Sequence, residues 1–251
     1  MGHFLHCRAF RRQQPCYRTI LECLSVSSHF FPSSPPPGSW FYWGDNYCDA
    51  GGNSWADFWN VKDFPGKRAM IDDPAAMLPF ALLADGVPMD KLFPLDIDRA
   101  FRSLAKIRPH VSIWWTAGSQ APQLLQDKEV VYSVAYSGRV HGKPGINFTY
   151  QQGLLDLSYF SIAKGTTPEQ KAVAMKFFRE FTVPENQLVY MSRIPYSGSS
   201  PNLDKLLPAE KASQYPTSAA NRKVQFMNDI ARWTEIAPTV EKRWQQFKLG
   251  L

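Results

Sequence analysis

The chain has 251 residues, a hydrophobic content of 44%, a formal net charge of +6 and an isoelectric point near 9.1. This length and apolar content suffice for one large or two modest packed domains. The sequence has no apolar run of about 18 residues, so no membrane-spanning helix is predicted. The positive charges are not clustered, because Lys and Arg alternate with Asp and Glu in stretches such as 96–106, so nucleic-acid binding is not expected.

The first 53 residues differ in composition from the rest of the chain. They contain all the cysteines, whose spacing matches neither paired zinc knuckles nor a C-x-x-C redox motif. A disulfide between two of them remains an alternative if the protein works in an oxidising compartment. A Ser- and Pro-rich run at 33–38 predicts that segment 1–53 is poorly structured. The stretch 19–25 contains Glu22 and is too short for the core of a signal peptide, so none is predicted. The cysteines are Cys7, Cys16, Cys23 and Cys48.

Helices and short strands are predicted to alternate from residue 54 onward, as in an α/β fold. Ser54 is suited to cap a short helix, and Pro74 stands in the first turn of a longer one, where its missing N–H costs little. The spacing of Ile97, Phe101 and Leu104 predicts a helix with one buried face. The elements predicted here are helices at 55–60, 73–84, 96–107 and 118–127, and strands at 68–71 and 130–136.

The second half of the chain contains a capping box at 167–170, with Pro168 at the first helical position. The helix that follows carries Val173, Phe177 and Phe181 on one face. The other elements predicted here are a strand at 154–163 and helices at 184–191, 221–234 and 238–247.

Motifs of catalysis are missing from the sequence. It contains no G-x-S-x-G elbow, zinc-binding H-E-x-x-H helix, P-loop or G-x-G-x-x-G fingerprint. The Ser-rich stretch 196–200 is typical of a loop, and His110 and His141 are isolated in the sequence. We therefore predict that the protein is not an enzyme and that it needs no cofactor or metal.

Carboxylates and aromatic rings follow or flank the predicted strands. Asp72 and Asp73 follow the first, Tyr136 closes the next, and Asp156 and Tyr159 belong to the third. The carboxyl ends of strands in an open α/β sheet line the ligand crevice, and carboxylates with aromatic faces suit a cationic amine.

Each of these residues also has a purely structural interpretation. Asp72 or Asp73 could equally cap the following helix. The adjacent residues Trp114 and Trp115 would face opposite sides of a strand, so at least one belongs to the core. Trp55 and Trp59, four residues apart in sequence, are expected to pack on one helical face.

From residue 54 to residue 251 the chain resembles the carboxyl-terminal portion of the periplasmic solute-binding proteins of ABC importers, in the spermidine/putrescine-binding branch. The matching segments are Ser-Trp-Ala-Asp-Phe-Trp at 54–59, Phe-Pro-Gly-Lys-Arg at 64–68, Ala-Leu-Leu-Ala-Asp-Gly at 81–86, Pro-Leu-Asp-Ile-Asp-Arg-Ala-Phe at 94–101, 114–120, 153–165, and Ile-Pro-Tyr at 194–196.

The resemblance implies a solute cleft at particular positions of this sequence. The family's first cleft carboxylate falls on Asp73, and the second falls on Ala76, which cannot replace it. Two cleft aromatics fall on Tyr136 and Tyr196. The Trp and Asp pair of the family falls on Asp156 and Ser158, so it is not kept, although the carboxylate of Asp156 could compensate. Tyr159 and, more weakly, Trp115 complete the expected ligand contacts.

The fold that the resemblance implies is a type II periplasmic-binding-protein-like, two-lobed α/β fold, N-terminally truncated. Residues 54–251 would form the solute-binding region, mainly the second lobe and the C-terminal helices, after the atypical segment 1–53. We expect a monomeric periplasmic carrier that captures a polyamine such as putrescine or spermidine, or a shorter amine, and delivers it to the permease subunits. Two alternatives stay open: a truncated remnant that binds nothing, and an enzyme of unrecognised mechanism.

Overall fold

The computed structural model describes residues 26–31, 54–157, 160–193, 196–200, 202–212 and 214–250, with the backbone alone at 26–31, 156–157, 204 and 209. The four cysteines and most of the segment 1–53 lie outside these ranges. No helix in the part of the chain that the structure describes combines the length and the apolar character needed to cross a membrane.

Helices outnumber strands in the described residues, and the two alternate along the chain. The strands are β1 (Val26–Phe31), β2 (Arg68–Ile71), β3 (Val111–Trp115), β4 (Tyr132–Ser133), β5 (Thr149–Leu157) and β6 (Gln225–Met227). The helices are α1 (Trp55–Trp59), α2 (Pro74–Ala84), α3 (Ile97–Ile107), α4 (Gln120–Gln126), α5 (Ser137–Val140), α6 (Pro168–Thr182), α7 (Pro184–Arg193), α8 (Leu203–Leu206), α9 (Ala209–Ala212), α10 (Ala219–Arg222) and α11 (Ile230–Leu249), and short 3₁₀ turns cover Met89–Lys91 and Arg108–His110.

Three helices begin where the sequence predicts a cap. The Ser54 Oγ accepts from the Asp57 backbone N–H at 3.3 Å, and Asp57 Oδ2 accepts from the Ser54 backbone N–H at 2.9 Å, which forms a capping box at the start of α1. Thr167 forms the second box with Gln170 at the start of α6. Asp73 caps α2, and Pro74 stands at its first position as predicted.

One sheet has the strand order β3-β2-β4, and all its strands run parallel. The middle strand, β2, is buried along its whole length, as is usual for a strand covered on both faces. It spans the predicted residues, whereas the strand predicted at 130–136 is reduced to Tyr132–Ser133.

Arg68 is a charged residue at the start of this buried strand. Its guanidinium donates to the carbonyl oxygens of Phe58, Gly66 and Phe64, and lies 4.8 Å from the ring centroid of Tyr132. Burial lowers its pKa to about 10. The cation is therefore held by carbonyl groups and an aromatic face, and it fixes the loop that precedes β2.

The second sheet has the order β1-β5-β6, with β1 antiparallel and β6 parallel to β5. The strand predicted at 154–163 was misplaced, because β5 runs from Thr149 to Leu157. Its first residues are mostly polar, so they lack the apolar run on which the prediction depended. Gly153 and Leu154 pair with Gln225 and Phe226 of β6, a partner that is distant in sequence.

The predictions for the C-terminal segment were partly wrong, although residues 238–247 are helical as predicted. The region predicted as a helix at 221–234 contains β6, and α11 continues through Pro238, where a break was expected. Phe226 of β6 packs against Phe80 and Phe93, at centroid distances of 5.9 and 6.4 Å. Tertiary packing of this kind outweighs local helix propensity.

The main core lies between the β3-β2-β4 sheet and helices α2, α3 and α11. Trp55 is fully buried and stacks on Phe80 at 4.0 Å, and it contacts Trp59 edge-on at 6.1 Å, so both tryptophans pack as predicted. Trp115 is fully buried, whereas Trp114 is half-buried and contacts Trp244 of α11 at 5.3 Å. The two sides of β3 thus carry one tryptophan each.

Candidate ligand site

The three parallel strands end at the same edge of their sheet. The backbone N–H of Asp72 donates to the Trp115 carbonyl at 2.8 Å, and that of Val134 donates to the Ala69 carbonyl at 3.1 Å. The residues that follow the strands are therefore neighbours. We call this the carboxyl edge, formed by residues 72–73, 116–118 and 134–136. Ligands of open α/β sheets bind outside such an edge.

Asp73 stands at the centre of the carboxyl edge, because it follows the middle strand. Its Oδ1 accepts a hydrogen bond from the Ala75 backbone N–H at 2.9 Å, which caps α2. Burial raises the pKa of the Asp73 carboxyl, and the nearby charge of Asp72 raises it further. A carboxylate offers about four lone-pair sites, so the cap leaves acceptor capacity for a ligand.

Asp72 is neutralised by groups of the same chain. Its carboxylate accepts hydrogen bonds from Trp244 Nε1 at 2.7 Å and from Lys248 Nζ at 2.6 Å, both on α11. The side chains of Asp72 and Lys248 are 18% and 23% exposed, so solvent screens this ion pair only partly. Asp72 therefore anchors the C-terminal helix, while Asp73 remains the better candidate for a ligand.

Glu241 of α11 belongs to the same acidic group and was not predicted from the sequence. Burial raises its pKa, and the charges of Asp73 and Asp72 add to the effect. Asn228 also approaches this corner, where its Nδ2 donates to the Ala75 carbonyl at 3.1 Å. Nothing local in the sequence links these residues to Asp73, since only tertiary packing brings α11 to the end of β2.

Tyr136 lies at the carboxyl edge with its ring half-buried. Its ring centroid is 5.6 Å from that of Trp115, at an interplanar angle of 70°. Trp115 itself is fully buried and donates its indole N–H to the Val134 carbonyl at 3.1 Å. A Cβ atom on Gly118 would lie 2.8 Å from Cδ2 of Tyr136, so the ring rests directly on the Gly118 backbone.

Tyr196 reaches the same region from a distant part of the chain. A Cβ atom on Gly138 would lie 2.6 Å from Cε1 of Tyr196, which requires glycine at this position. Gly138 belongs to α5, whose N-cap is Tyr136. Between them, Ser137 is buried, and its hydroxyl has no hydrogen-bond partner among the described residues. The structure therefore brings Tyr136, Tyr196 and Trp115 together around α5.

Of the remaining two predicted residues, the structure describes only the backbone of Asp156. Asp156 belongs to β5 in the second sheet, opposite Ser27 of β1, and its side chain is outside the described part of the structure. Tyr159 also lies outside the described residues.

Other features of the described residues do not coincide with the carboxyl edge. A surface groove of about 610 Å³ runs between α3 and α11 and is lined by Arg102, Lys242 and Arg243, among others. It contains none of the predicted ligand residues. Within the described part of the chain, no group of three or more His, Cys, Asp or Glu residues could hold a metal ion.

Sequence comparison identifies the family to which this architecture belongs. The model of the family described as bacterial extracellular solute-binding protein matches residues 35–220. The chain is a member of this family. Its members are transport proteins and not enzymes. The match begins at residue 35, whereas the segments that resemble the family in the sequence analysis begin at residue 54.

A solved structure is similar to the chain over most of its length. An ABC transporter substrate-binding protein from Bradyrhizobium japonicum USDA 110 is 37% identical, with a TM-score of 0.77 over 90% of this chain and 69% of that one. The α/β two-lobed fold of substrate-binding proteins is thereby confirmed.

Two curated relatives differ in the solute for which they are named. The gamma-aminobutyric acid (GABA)-binding protein of Pseudomonas aeruginosa is 36% identical over 200 residues, which are 76% of this chain and 56% of that protein. The spermidine/putrescine-binding periplasmic protein of Escherichia coli K12 is 24% identical over 208 residues, which are 78% of this chain and 57% of that protein. The chain thus spans a little over half the length of both relatives, and the similarity to the GABA-binding protein is the higher.

Proposed function

We propose that this chain belongs to the solute-binding component of an ABC importer and holds a small solute with one cationic amine at its carboxyl edge. The 36% identity to a GABA-binding protein carries this proposal. The component would work outside the cytoplasm and deliver its solute to the permease subunits in the membrane. Solute contacts that exist only in the closed form would shift the protein toward that form, which the permease recognises.

Asp73 is the proposed partner of the solute ammonium group. A hydrogen bond between charged groups contributes about 1.5–3 kcal/mol when it is shielded from water, and Asp73 is half-buried. The rings of Tyr136 and Tyr196 would cover the methylene groups and face the cation. Trp115 would act from behind the edge, where its contact with Tyr136 sets the orientation of that ring.

A solute of the amino-acid type, with GABA as the first candidate, fits the charges at this edge better than a polyamine. Asp72 is paired with Lys248, and the family's second cleft carboxylate falls on Ala76, which is buried and apolar. Asp73 is therefore the carboxylate that we assign to the single ammonium group, with Glu241 of α11 in the same acidic group. A polyamine would need a further carboxylate, for which Glu241 and Asp156 of the other sheet are the candidates.

The carboxylate of such a solute would find a cation close to Tyr136. Arg139 of α5 is exposed, and its Cγ lies 3.8 Å from the position of a Cβ atom on Gly118, beside the Tyr136 ring. The buried hydroxyl of Ser137 offers a polar group next to it. An ammonium at Asp73 and a carboxylate toward Arg139 would thus orient a short ω-amino acid along the edge.

Isothermal titration calorimetry with GABA, putrescine and spermidine tests the proposal. We expect GABA to bind at least tenfold more tightly than either polyamine. The Asp73→Asn variant should bind GABA about 10–100-fold more weakly, because it loses a charged hydrogen bond. Asp127→Asn is the matched control, since Asp127 is exposed at the end of α4, where its carboxylate accepts from Gln123 Nε2.

The pH dependence of binding provides a second readout. The Asp73 carboxylate must be ionised to hold an ammonium group, and its pKa is raised by burial and by Asp72. GABA affinity should therefore fall as the pH is lowered, and it should begin to fall at a higher pH than an aspartate with an ordinary pKa would produce. The proposal fails if the folded chain gives no heat with any of the three solutes, or if Asp73→Asn and Asp127→Asn bind GABA equally well.

A further inference from the structure

The ion pair between Asp72 and Lys248 places a cation of the protein itself beside the proposed solute site. Lys248 Nζ lies 2.6 Å from Asp72 Oδ2, and the two side chains are 23% and 18% exposed. Asp72 directly precedes Asp73, the proposed partner of the solute ammonium group. The pair is therefore shielded from most of the surrounding water, but it stays accessible from the surface.

One face of α11 brings three side chains to this corner. Glu241, Trp244 and Lys248 recur at helical spacing, so they lie in one stripe of the helix. Trp244 Nε1 donates to Asp72 Oδ1 at 2.7 Å, so each carboxylate oxygen of Asp72 accepts from a different residue of α11. Glu241 is exposed, and no Lys or Arg of the described part of the chain forms an ion pair with it.

The charges of this corner act on one another. Burial raises the pKa of the Glu241 carboxyl, the charges of Asp73 and Asp72 raise it further, and the charge of Lys248 opposes the rise. Glu241 is therefore close to both aspartates and to the ammonium group of Lys248. The ammonium is held among carboxylates that would otherwise repel each other.

Lys248 has the chemistry of the second amine of a diamine. Its side chain ends in a primary ammonium with three donor hydrogens on a flexible methylene stem, and putrescine carries the same group at both ends of a short methylene chain. The Lys248 ammonium is attached to the protein, so it loses little freedom when it pairs with Asp72, whereas an external ammonium loses translational and rotational freedom. A second solute amine therefore competes poorly for Asp72.

We propose that Lys248 determines the class of solute at the carboxyl edge. Its ammonium occupies the position that the second ammonium of a polyamine would take, and it thereby restricts the site to solutes with one amine at Asp73. This inference rests on the proposed function. Without the Lys248 ammonium, the carboxylate of Asp72 becomes available to a solute, with Glu241 beside it.

Replacement of Lys248 tests this assignment by calorimetry with GABA and putrescine. Lys248→Met keeps the apolar stem and removes the ammonium, and the ratio of putrescine affinity to GABA affinity should rise about tenfold or more, because a second charged hydrogen bond becomes possible. Lys248→Gln is the second variant; it retains a donor for Asp72 without the charge, and it should shift the ratio in the same direction. Circular dichroism and thermal melting identify the variants that fold.

Three controls separate the charge of Lys248 from its structural contribution. Lys248→Arg keeps a cation and should keep the ratio of the parent chain. Trp244→Phe removes the other donor to Asp72 without a change of charge, and it should also leave the ratio unchanged. Lys248→Met combined with Asp72→Asn removes the carboxylate that Lys248→Met makes available, so the ratio should return to within about twofold of the parent value.

Two results would overturn the assignment. In the first, the folded Lys248→Met and Lys248→Gln variants keep the affinity ratio of the parent chain. In the second, Trp244→Phe raises the ratio as much as Lys248→Met does, which would attribute the effect to a displacement of α11. In both cases GABA binding by the parent chain still supports the proposed function, whereas a parent chain that binds neither solute contradicts both proposals.

Discussion

Two regions of the molecule differ in how far they bury the apolar side of a helix. In the sheet region, residues 54–154 with α11, helix α3 buries Ala100, Phe101, Leu104 and Ile107. In the helical region, residues 160–212, helix α6 carries apolar residues at every fourth position but leaves Val173 and Phe177 exposed.

The two helices differ in whether other elements cover their apolar side. Helix α3 is covered by α2 and α11, and Phe101 contacts Phe247 of α11 at 5.8 Å. The main hydrophobic core includes residues from Trp55 to Leu154 and from Phe226 to Phe247. Buried residues of the helical region such as Phe178 and Met191 stand apart from it. The sheet region thus completes its own core, whereas the helical region leaves the apolar stripe of α6 exposed among the described residues.

The largest expected effect on this comparison comes from the buried cation of the sheet region. Arg68→Met would leave the carbonyl oxygens of Phe58, Phe64 and Gly66 without their donor, at a cost of about 3–5 kcal/mol in the free energy of unfolding. Arg179→Met, on the exposed side of α6, should change it by less than about 0.5 kcal/mol. Urea unfolding followed by circular dichroism measures both, and equal losses would contradict the contrast.

A pair of side-chain truncations compares the two regions more directly. Leu82→Ala removes a side chain that is 1% exposed, and we expect a loss of about 2–5 kcal/mol. Phe177→Ala removes a larger side chain that is 52% exposed, and the loss should stay below about 1 kcal/mol. Thermal unfolding of the two variants gives the ranking, and a larger loss for Phe177→Ala would show that the helical region has a closed core of its own.

The smallest expected effect concerns an ion-pair group that joins α2 to α3. Asp85 accepts from Lys106 Nζ and Arg99 Nε, both at 2.8 Å, and these bonds, with Lys106 first, lower the pKa of Asp85. Because the side chains of Lys106 and Arg99 are 65% and 39% exposed, solvent screens both pairs, and Asp85→Asn should cost about 1 kcal/mol or less. Glu235→Gln, which breaks a more exposed pair with Arg232, is the control and should cost less.

The sign of the pH effect follows from the lowered pKa of Asp85. Its contribution is fully present above the ordinary aspartate pKa and is lost as the pH falls through the lower pKa of the folded state. Urea unfolding at neutral and acid pH should therefore give a smaller difference between wild type and Asp85→Asn in acid. A difference that grows in acid would exclude this ion-pair group as the cause.

Local signals in the sequence predicted part of the fold well. Ser54 and Thr167 cap helices where expected, and β2 spans the predicted 68–71, because a cap or a buried strand is determined by neighbouring residues. The bounds of β5 and the identity of β6 were not predictable in this way. The two strands pair with each other although they are far apart in sequence. The first residues of β5 are mostly polar, so no apolar run marks the start of this strand.

The candidate site shows the same limit. Asp73 and Tyr136 were recognisable because they follow strands, and strand ends meet at one edge of a parallel sheet. Glu241 and the pairing of Asp72 with Lys248 depend on where α11 packs, which no local pattern encodes. The close approach of Tyr196 to Gly138 is likewise a tertiary contact, although a glycine that follows an aromatic strand end is a signal that could have indicated it.

The central proposal is that the carboxyl edge of the sheet region is the solute site. A titration of the isotope-labelled chain with GABA, followed by backbone amide chemical shifts, tests it most directly. The proposal predicts saturable shifts at residues 72–76, 116–118 and 134–139 and at Tyr196, which disappear in Asp73→Asn. Shifts confined to the groove between α3 and α11, or no shifts in a folded chain at millimolar GABA, would contradict it.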